Sequence, residues 1–225
     1  MAPRKRGRKL IEYYRRLFSA YGPQFWWPGD GPFEVAVGAI LTQNTAWKNV
    51  ERAIENLKKA RLLNPEALHR ASLMKLSRLI RPSGYFNAKA RTLKAFTAYL
   101  QIRFGGKMEA MFREPPHRLR LALLNIKGIG PETADSILLY GGGLPYFVID
   151  AYTRRIVYRH RLMKPGRGYP ELQTRFMSEL SRNVGVYKEF HALIVKVGKE
   201  HCGRKPHCEG CPLMPFLEGR LPKKD

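Results

Sequence analysis

Apolar residues recur at helical spacing along most of this chain. The clearest case follows the polar cluster TQNT, where apolar residues fall on one face of a helix at Trp47, Val50, Ile54 and Leu57. The basic pair Lys58-Lys59 suits the C-terminus of that helix. Runs of alternating β-branched residues bounded by turns are scarce. The pattern therefore predicts an all-α protein.

Further helices are predicted by the same spacing. They span residues 68–80, 88–99, 116–124 and 131–140, and two more follow Asp150 and Pro170. The turn RPSG, residues 81–84, separates the first two of these helices. The helical pattern is interrupted most clearly at Gly141-Gly142-Gly143. This triplet divides a helix-rich middle from a basic C-terminal part.

The net charge of the chain indicates what kind of binding partner it has. The chain of 225 residues has 41 Lys and Arg against 18 Asp and Glu, a net charge of +23 that favours a polyanion such as nucleic acid. An anionic membrane is the alternative, but it needs a long helix with a basic face opposite an apolar one. No apolar run approaches the roughly 18–20 residues of a membrane span. The N-terminal MAPRKRGRK has no signal-peptide core, so we expect a soluble, intracellular protein.

A glycine-containing turn, NIKGIGP, lies between two predicted helices. Gly128 and Gly130 leave room for a phosphate to approach the backbone amides. Pro131 suits the first position of the next helix, whose N-terminus also favours an anion. Spacing alone also fits an ordinary helix–helix turn. The positive charge of the chain favours phosphate binding, with Lys127 as a counter-charge.

Several motifs, taken in order, resemble the helix-hairpin-helix DNA glycosylases, a superfamily that includes endonuclease III. They are PFEVAVGAILTQNTAW, IRPSGYFNAKA, IKGIGPETAD, VIDAYTRRI and GKEHCGRKPHCEGCP. WWPGD, LTQNTAW and RPSGYFN most resemble the bacterial 3-methyladenine branch. The resemblance implies a domain of residues 33–143 built as a six-helix barrel, with the hairpin motif at about 117–140. A second helical domain would combine 1–32 with 144–225, with the active-site cleft between the two.

Asp150 matches the catalytic aspartate of that family. It lies 18 residues beyond the position of the Schiff-base lysine of the bifunctional enzymes, where this chain has Glu132. A carboxylate cannot form an imine with the sugar, so the resemblance implies a monofunctional enzyme. The alternative role for Asp150 is that of an N-cap for the following helix, and the two roles are compatible.

Aromatic and polar residues complete the predicted site. Trp26, Trp27 and Trp47 are candidates to stack on a flipped, cationic alkylated base, although tryptophans also fill cores. Gln43 and Tyr85 match the positions from which the endonuclease III family inserts side chains into the gap left by the flipped base.

The three cysteines of the chain lie near its C-terminus, at Cys202, Cys208 and Cys211. The family commonly holds a [4Fe-4S] cluster with Cys-x6-Cys-x2-Cys-x5-Cys, whereas the first gap here is one residue short and Leu217 replaces the fourth ligand. The clustering favours a metal, either iron–sulfur or zinc, with His201 or His207 as the fourth ligand. The alternative is a vestigial loop, residues 202–211, held by packing alone.

The leading hypothesis is a monofunctional glycosylase that acts on alkylated purines in double-stranded DNA. A second hypothesis keeps the fold and changes the substrate to a mismatched or oxidised base. A third is a DNA-binding module without chemistry, against which Asp150 and the tryptophans argue. We expect a monomer.

Overall fold

The computed structural model describes residues 9–164 and 166–222, so the basic run before Lys9 lies outside them. Helices joined by short turns make up this part of the chain, and it contains no strand, which confirms the all-α prediction. No helix in these ranges has the length and apolar character needed to cross a membrane. The α-helices are α1 (Lys9–Tyr21), α2 (Pro32–Leu41), α3 (Trp47–Lys59), α4 (Pro65–Arg70), α5 (Leu73–Leu79), α6 (Phe86–Phe104), α7 (Met108–Phe112), α8 (Pro116–Leu124), α9 (Pro131–Ser136), α10 (Ala151–Arg159), α11 (Tyr169–Glu179) and α12 (Val184–Glu200).

The predicted helices at α3, α6, α8, α10 and α11 are confirmed, but the single helix predicted over residues 68–80 is wrong. The chain forms α4 and α5 there, because Ala71 is extended and Ser72 Oγ caps α5 by accepting from the Lys75 amide at 3.3 Å. The helix predicted over residues 131–140 is also modified. It changes at Ile137–Gly141 into a π-helical turn.

The chain divides into two compact units. The central unit is Trp27–Leu144, and the terminal unit combines the two ends, up to Trp26 and from Pro145 onward. In the central unit, every residue of α2 from Glu34 to Leu41 is buried. This helix packs against α3, α6, α9 and the π-helical turn, as expected of a helix that is apolar on all sides.

The terminal unit contains α1, α10, α11 and α12 around an aromatic core. Phe147 stacks on Phe176 with ring centroids 4.4 Å apart, and Phe190 lies against both rings. Helix α10 approaches α12 closely where Tyr152 covers Gly198, since a side chain at Gly198 would overlap the tyrosine ring. The position of α10 is therefore set by contact with α12.

A buried arginine on α10 holds the cysteine loop, residues 202–211. Arg159 is 1% exposed, and its Nη1 donates to Cys202 Sγ at 3.3 Å and to the Gly203 carbonyl at 2.8 Å. Its Nη2 donates to the Arg204 carbonyl at 3.0 Å. Arg155, one turn earlier, donates to the Cys202 carbonyl at 2.9 Å. One guanidinium thus joins three successive residues of the loop.

We predict that Arg159→Leu opens the start of the loop. Hydrogen bonds to charged groups contribute about 1.5–3 kcal/mol each, so the variant should be measurably less stable and Cys202 should become accessible. Mass spectrometry after timed thiol alkylation measures Cys202 separately from Cys208 and Cys211. Arg155→Leu, which removes one bond to the same loop, serves as the control and should have a smaller effect. Unchanged alkylation of Cys202 in Arg159→Leu would contradict the anchoring role.

Candidate active site

Asp150 stands at the N-terminus of α10 and caps that helix. Its Oδ1 accepts hydrogen bonds from both the amide and the hydroxyl of Thr153, each at 2.7 Å. The aspartate is 9% exposed. The N-terminus of α10 provides a positive electrostatic environment beside it. The predicted N-cap role is therefore present, and it fixes one carboxylate oxygen in place.

The second oxygen of this carboxylate faces a buried histidine. His191 Nε2, on α12, lies 3.8 Å from Asp150 Oδ2. Burial lowers the pKa of His191, although the negative charge of Asp150 acts to raise it. The imidazole is therefore neutral near pH 7. It is a polar neighbour of the Asp150 carboxylate that does not cancel the negative charge of that group.

The three tryptophans predicted to line a base pocket belong to different units. Trp26 lies in the terminal unit, where its ring centroid is 5.8 Å from that of His191. Trp27 and Trp47 lie in the central unit and meet edge to face at a centroid distance of 5.2 Å. Both rings are partly exposed. The structure thus brings two of the predicted rings together within one unit.

Gly38 and Tyr140 support this tryptophan pair. A Cβ at Gly38 would lie 3.4 Å from Trp27 Nε1 and 3.5 Å from Trp47, so both indoles rest directly on the backbone of α2. Tyr140 packs against Trp27 at a centroid distance of 5.1 Å. In the sequence, a glycine within an otherwise apolar helix indicates that another group approaches the backbone closely at Gly38. Nothing in the sequence shows that this group is the tryptophan pair.

Gln43 contacts the hairpin between α8 and α9. Its Nε2 donates to the Gly128 carbonyl at 3.0 Å and to Thr133 Oγ1 at 2.8 Å. Gly128 has a φ of +92°, and any side chain there would overlap Thr92 of α6. Residues 42–46 between α2 and α3, the Gln43 loop, are therefore joined to the hairpin by hydrogen bonds of the Gln43 side chain.

The tip of the hairpin is open to solvent. Lys127, Gly128 and Gly130 are exposed, whereas Ile129 is buried. Nothing lies within 4 Å of the Cβ position at Gly130. An exposed backbone beside a lysine and a helix N-terminus is suited to bind a phosphate. Glu132 is also exposed, in the first turn of α9.

Tyr85 occupies the turn between the 3₁₀ segment Arg81–Ser83 and α6. It is 72% exposed and has a left-handed backbone, with φ at 46°. Such a conformation is unfavourable for a bulky residue and is kept only where the surrounding structure imposes it. The turn therefore presents an aromatic side chain to solvent at the cost of local strain.

The cysteine loop does not fit a four-iron cluster as it is folded. Leu217 stands at the fourth ligand position with a buried side chain, and the Arg159 guanidinium contacts Cys202 Sγ. The cavity that all three cysteines line measures about 10 Å³, the space of one water molecule. Burial raises the pKa of the Cys208 and Cys211 thiols. In residues 9–164 and 166–222, no three His, Cys, Asp or Glu side chains are arranged to hold a metal.

Sequence reasoning did not identify His191. It lies far from Asp150 in the chain, and a histidine in an amphipathic helix resembles any surface residue. Only the packing of α12 against α10 brings the two side chains together. No pattern within either segment could have predicted the pair.

Comparisons with known proteins agree with this fold. The family model described as HhH-GPD superfamily base excision DNA repair protein matches residues 37–182. The protein MJ1434 of Methanocaldococcus jannaschii, named provisionally as a DNA repair glycosylase, is 44% identical over 92% of this chain and 94% of its own length. A thymine-DNA glycosylase of Aeropyrum pernix is 29% identical over 92% of this chain and 90% of its own length.

Two solved structures resemble the chain closely in fold. The H. pylori 3-methyladenine DNA glycosylase, bound to 1,N6-ethenoadenine, has a TM-score of 0.75 and 30% identity, and the match covers 85% of this chain and 97% of that one. An endonuclease III–DNA complex has a TM-score of 0.79 at 20% identity, over 93% of this chain and 94% of the other, and this likeness concerns the fold alone. The extent of the family match and the 44% identity over almost the whole chain lead to one conclusion. The chain belongs to the HhH-GPD superfamily of base excision DNA repair proteins.

Proposed function

We propose that the protein is a monofunctional DNA glycosylase that removes an alkylated, 3-methyladenine-like base from duplex DNA, with Asp150 as its catalytic carboxylate. The observation that carries the proposal is the geometry of Asp150. One oxygen is fixed by Thr153, and the other lies 3.8 Å from a neutral histidine. A carboxylate held in this way can interact with a positive charge that develops on a sugar.

The chemistry needs one carboxylate and a water molecule. When the N-glycosidic bond breaks, its electron pair leaves with the base and the sugar gains oxocarbenium character. Asp150 stabilises that charge and orients or deprotonates the water that attacks the sugar carbon, so the water proton passes to the carboxylate or to solvent. The products are a free base and an abasic site.

Glu132 supports monofunctional chemistry. This exposed carboxylate stands in the first turn of α9, at the position that the family resemblance gives to a Schiff-base lysine. A carboxylate has no amine to form an imine. The amine of Lys127 belongs to the exposed hairpin tip, where we assign it to phosphate binding together with Gly128 and Gly130.

The substrate is inferred from the aromatic pair. Trp27 and Trp47 form a partly exposed, electron-rich surface, and a cationic alkylated purine binds such a surface more tightly than a neutral base of the same shape. The 30% identity to the H. pylori 3-methyladenine glycosylase supports the same substrate class. Trp26, in the terminal unit, is kept as a third candidate for contact with the base.

Mismatched thymine is the second candidate substrate. The similarity to the A. pernix thymine-DNA glycosylase, 29% identity over 92% of this chain, favours it. A neutral base gains little from cation–π attraction, so the two candidates differ in how strongly excision should depend on the indoles.

We expect Asp150→Asn to reduce excision by roughly 10²–10⁴-fold, the range typical for loss of a proton-transferring side chain. Asparagine is as good an N-cap as aspartate, so α10 should stay folded and DNA affinity should change little. Single-turnover excision and binding to undamaged duplex measure the two effects. Asp30→Asn, which removes an exposed carboxylate of the central unit, is the control for net charge. An Asp150→Asn enzyme with wild-type rate would remove Asp150 from the mechanism.

The second expectation is that borohydride traps no covalent adduct during excision. The abasic product should remain an intact strand until alkali is added, because no amine attacks the sugar. Gel analysis of labelled duplex with and without alkali measures strand cleavage. A stable protein–DNA adduct, or cleavage without alkali, would show that a lysine acts as nucleophile and that the enzyme is bifunctional.

Trp47→Ala should lower excision of 3-methyladenine by about 30-fold if a cation–π contact of about 2 kcal/mol is lost. Trp47→Phe keeps an aromatic face and should retain most of the rate. Wild-type enzyme should cut 3-methyladenine well and T opposite G poorly. Comparable rates on both substrates, or full activity of Trp47→Ala on 3-methyladenine, would contradict the aromatic selection and favour the mismatch alternative.

A further inference from the structure

A buried lysine on α6 connects the two segments from which Gln43 and Tyr85 project. Lys89 is 3% exposed. Its Nζ donates to the Leu41 carbonyl at 2.9 Å and to the Ser83 carbonyl at 2.6 Å. Leu41 ends α2 two residues before Gln43, and Ser83 ends the 3₁₀ turn two residues before Tyr85. A single ammonium group therefore connects the backbone at the start of the Gln43 loop with the backbone at the start of the Tyr85 turn.

This lysine is costly to bury. Removing a charge from water is unfavourable, and burial lowers the pKa of Lys89 to about 8. Its interaction with the carbonyl end of α2 offsets part of the cost, because the C-terminus of a helix favours a cation. An apolar residue could fill the same volume without that cost. The specific contribution of Lys89 is to hold two backbone carbonyls at a fixed separation.

The next turn of α6 contacts the hairpin. Thr92 lies three residues after Lys89 on the same face of the helix, and it packs so tightly against Gly128 that no side chain fits there. Gly128 in turn accepts a hydrogen bond from Gln43 at 3.0 Å. One face of α6 thus supports the Gln43 loop, the Tyr85 turn and the hairpin.

We propose that Lys89 is a positioning residue for base extrusion, which holds the Gln43 loop and the Tyr85 turn in the spacing at which both side chains enter the duplex together. The inference rests on the proposed function, in which Gln43 and Tyr85 fill the gap left by the flipped base. Extrusion is unfavourable because the flipped base loses its stacking and pairing. Insertion of both side chains offsets that cost only if they arrive in the correct geometry, and a displacement of about 1 Å can cost 10²-fold in rate.

Lys94 provides a matched control on the same helix. Its Nζ donates to the Ala71 carbonyl at 2.9 Å and also to the His69 carbonyl, so it too binds two backbone carbonyls, both at the C-terminal end of α4. Those carbonyls belong to the junction of α4 and α5 rather than to the Gln43 or Tyr85 segment. Lys94→Met therefore removes an equivalent set of hydrogen bonds away from the residues assigned to DNA.

The test compares Lys89→Met with Lys94→Met at a temperature where circular dichroism shows both variants folded. Single-turnover excision of 3-methyladenine is measured for each variant. The fluorescence of 2-aminopurine placed beside the lesion reports extrusion, and it is recorded with Asp150→Asn added so that excision cannot alter the signal. We expect Lys89→Met to bind undamaged duplex within about twofold of wild type and to lose about tenfold or more in excision rate and most of the fluorescence rise. Lys94→Met should retain both.

Equal excision and fluorescence for Lys89→Met and wild type would overturn the inference, and so would equal losses in Lys89→Met and Lys94→Met. If Lys89→Met does not fold, Lys89→Gln replaces it. The glutamine side chain is one bond shorter and cannot keep both carbonyls at their distances, so a wild-type rate for Lys89→Gln also overturns the inference. Failure of the proposed function is distinct, because wild-type enzyme itself would then show neither excision of the alkylated base nor a rise in fluorescence, whereas failure of the inference requires a wild-type enzyme that shows both.

Discussion

The burial of α2 on every side is the constraint on which the central unit depends. Each buried valine, leucine or isoleucine of this helix stabilises the fold by about 1.5–3 kcal/mol, so the helix cannot shift without losing its neighbours. Its middle carries the tryptophan pair at Gly38, and its end leads into the Gln43 loop. Residues assigned to base contact and to DNA insertion thus share one rigid support.

The periodicity of the sequence predicted the helices that present one apolar face, such as α3 and α10, because tertiary packing there reinforces the local pattern. It failed over residues 68–80, where the apolar spacing continues across the turn between α4 and α5. Ser72 caps α5 as a new helix, and Lys94 donates to the Ala71 carbonyl at the end of α4. Local polar interactions decided the outcome, and a hydrophobic pattern does not contain them.

The candidate site was predictable to the extent that it lies in motifs. Asp150, Gln43, Tyr85 and the hairpin glycines each belong to a short segment whose order along the chain is informative. His191 and Lys89 were not predictable, since each acts through residues distant in sequence. A lysine inside a helix ordinarily indicates a solvated surface. Only the fold shows that its ammonium is buried among carbonyls.

The close contact between Tyr152 and Gly198 restricts how the sequence can vary. A methyl group at position 198 would overlap Tyr152 of α10, the helix that Asp150 caps, so α10 could not keep its distance from α12. The histidine facing that aspartate is carried by α12 itself. Substitutions at this glycine, which contacts no DNA in the proposed mechanism, are therefore limited by the packing of α10 against α12. At this position, tolerance to substitution follows the packing of two helices rather than distance from the reacting bond.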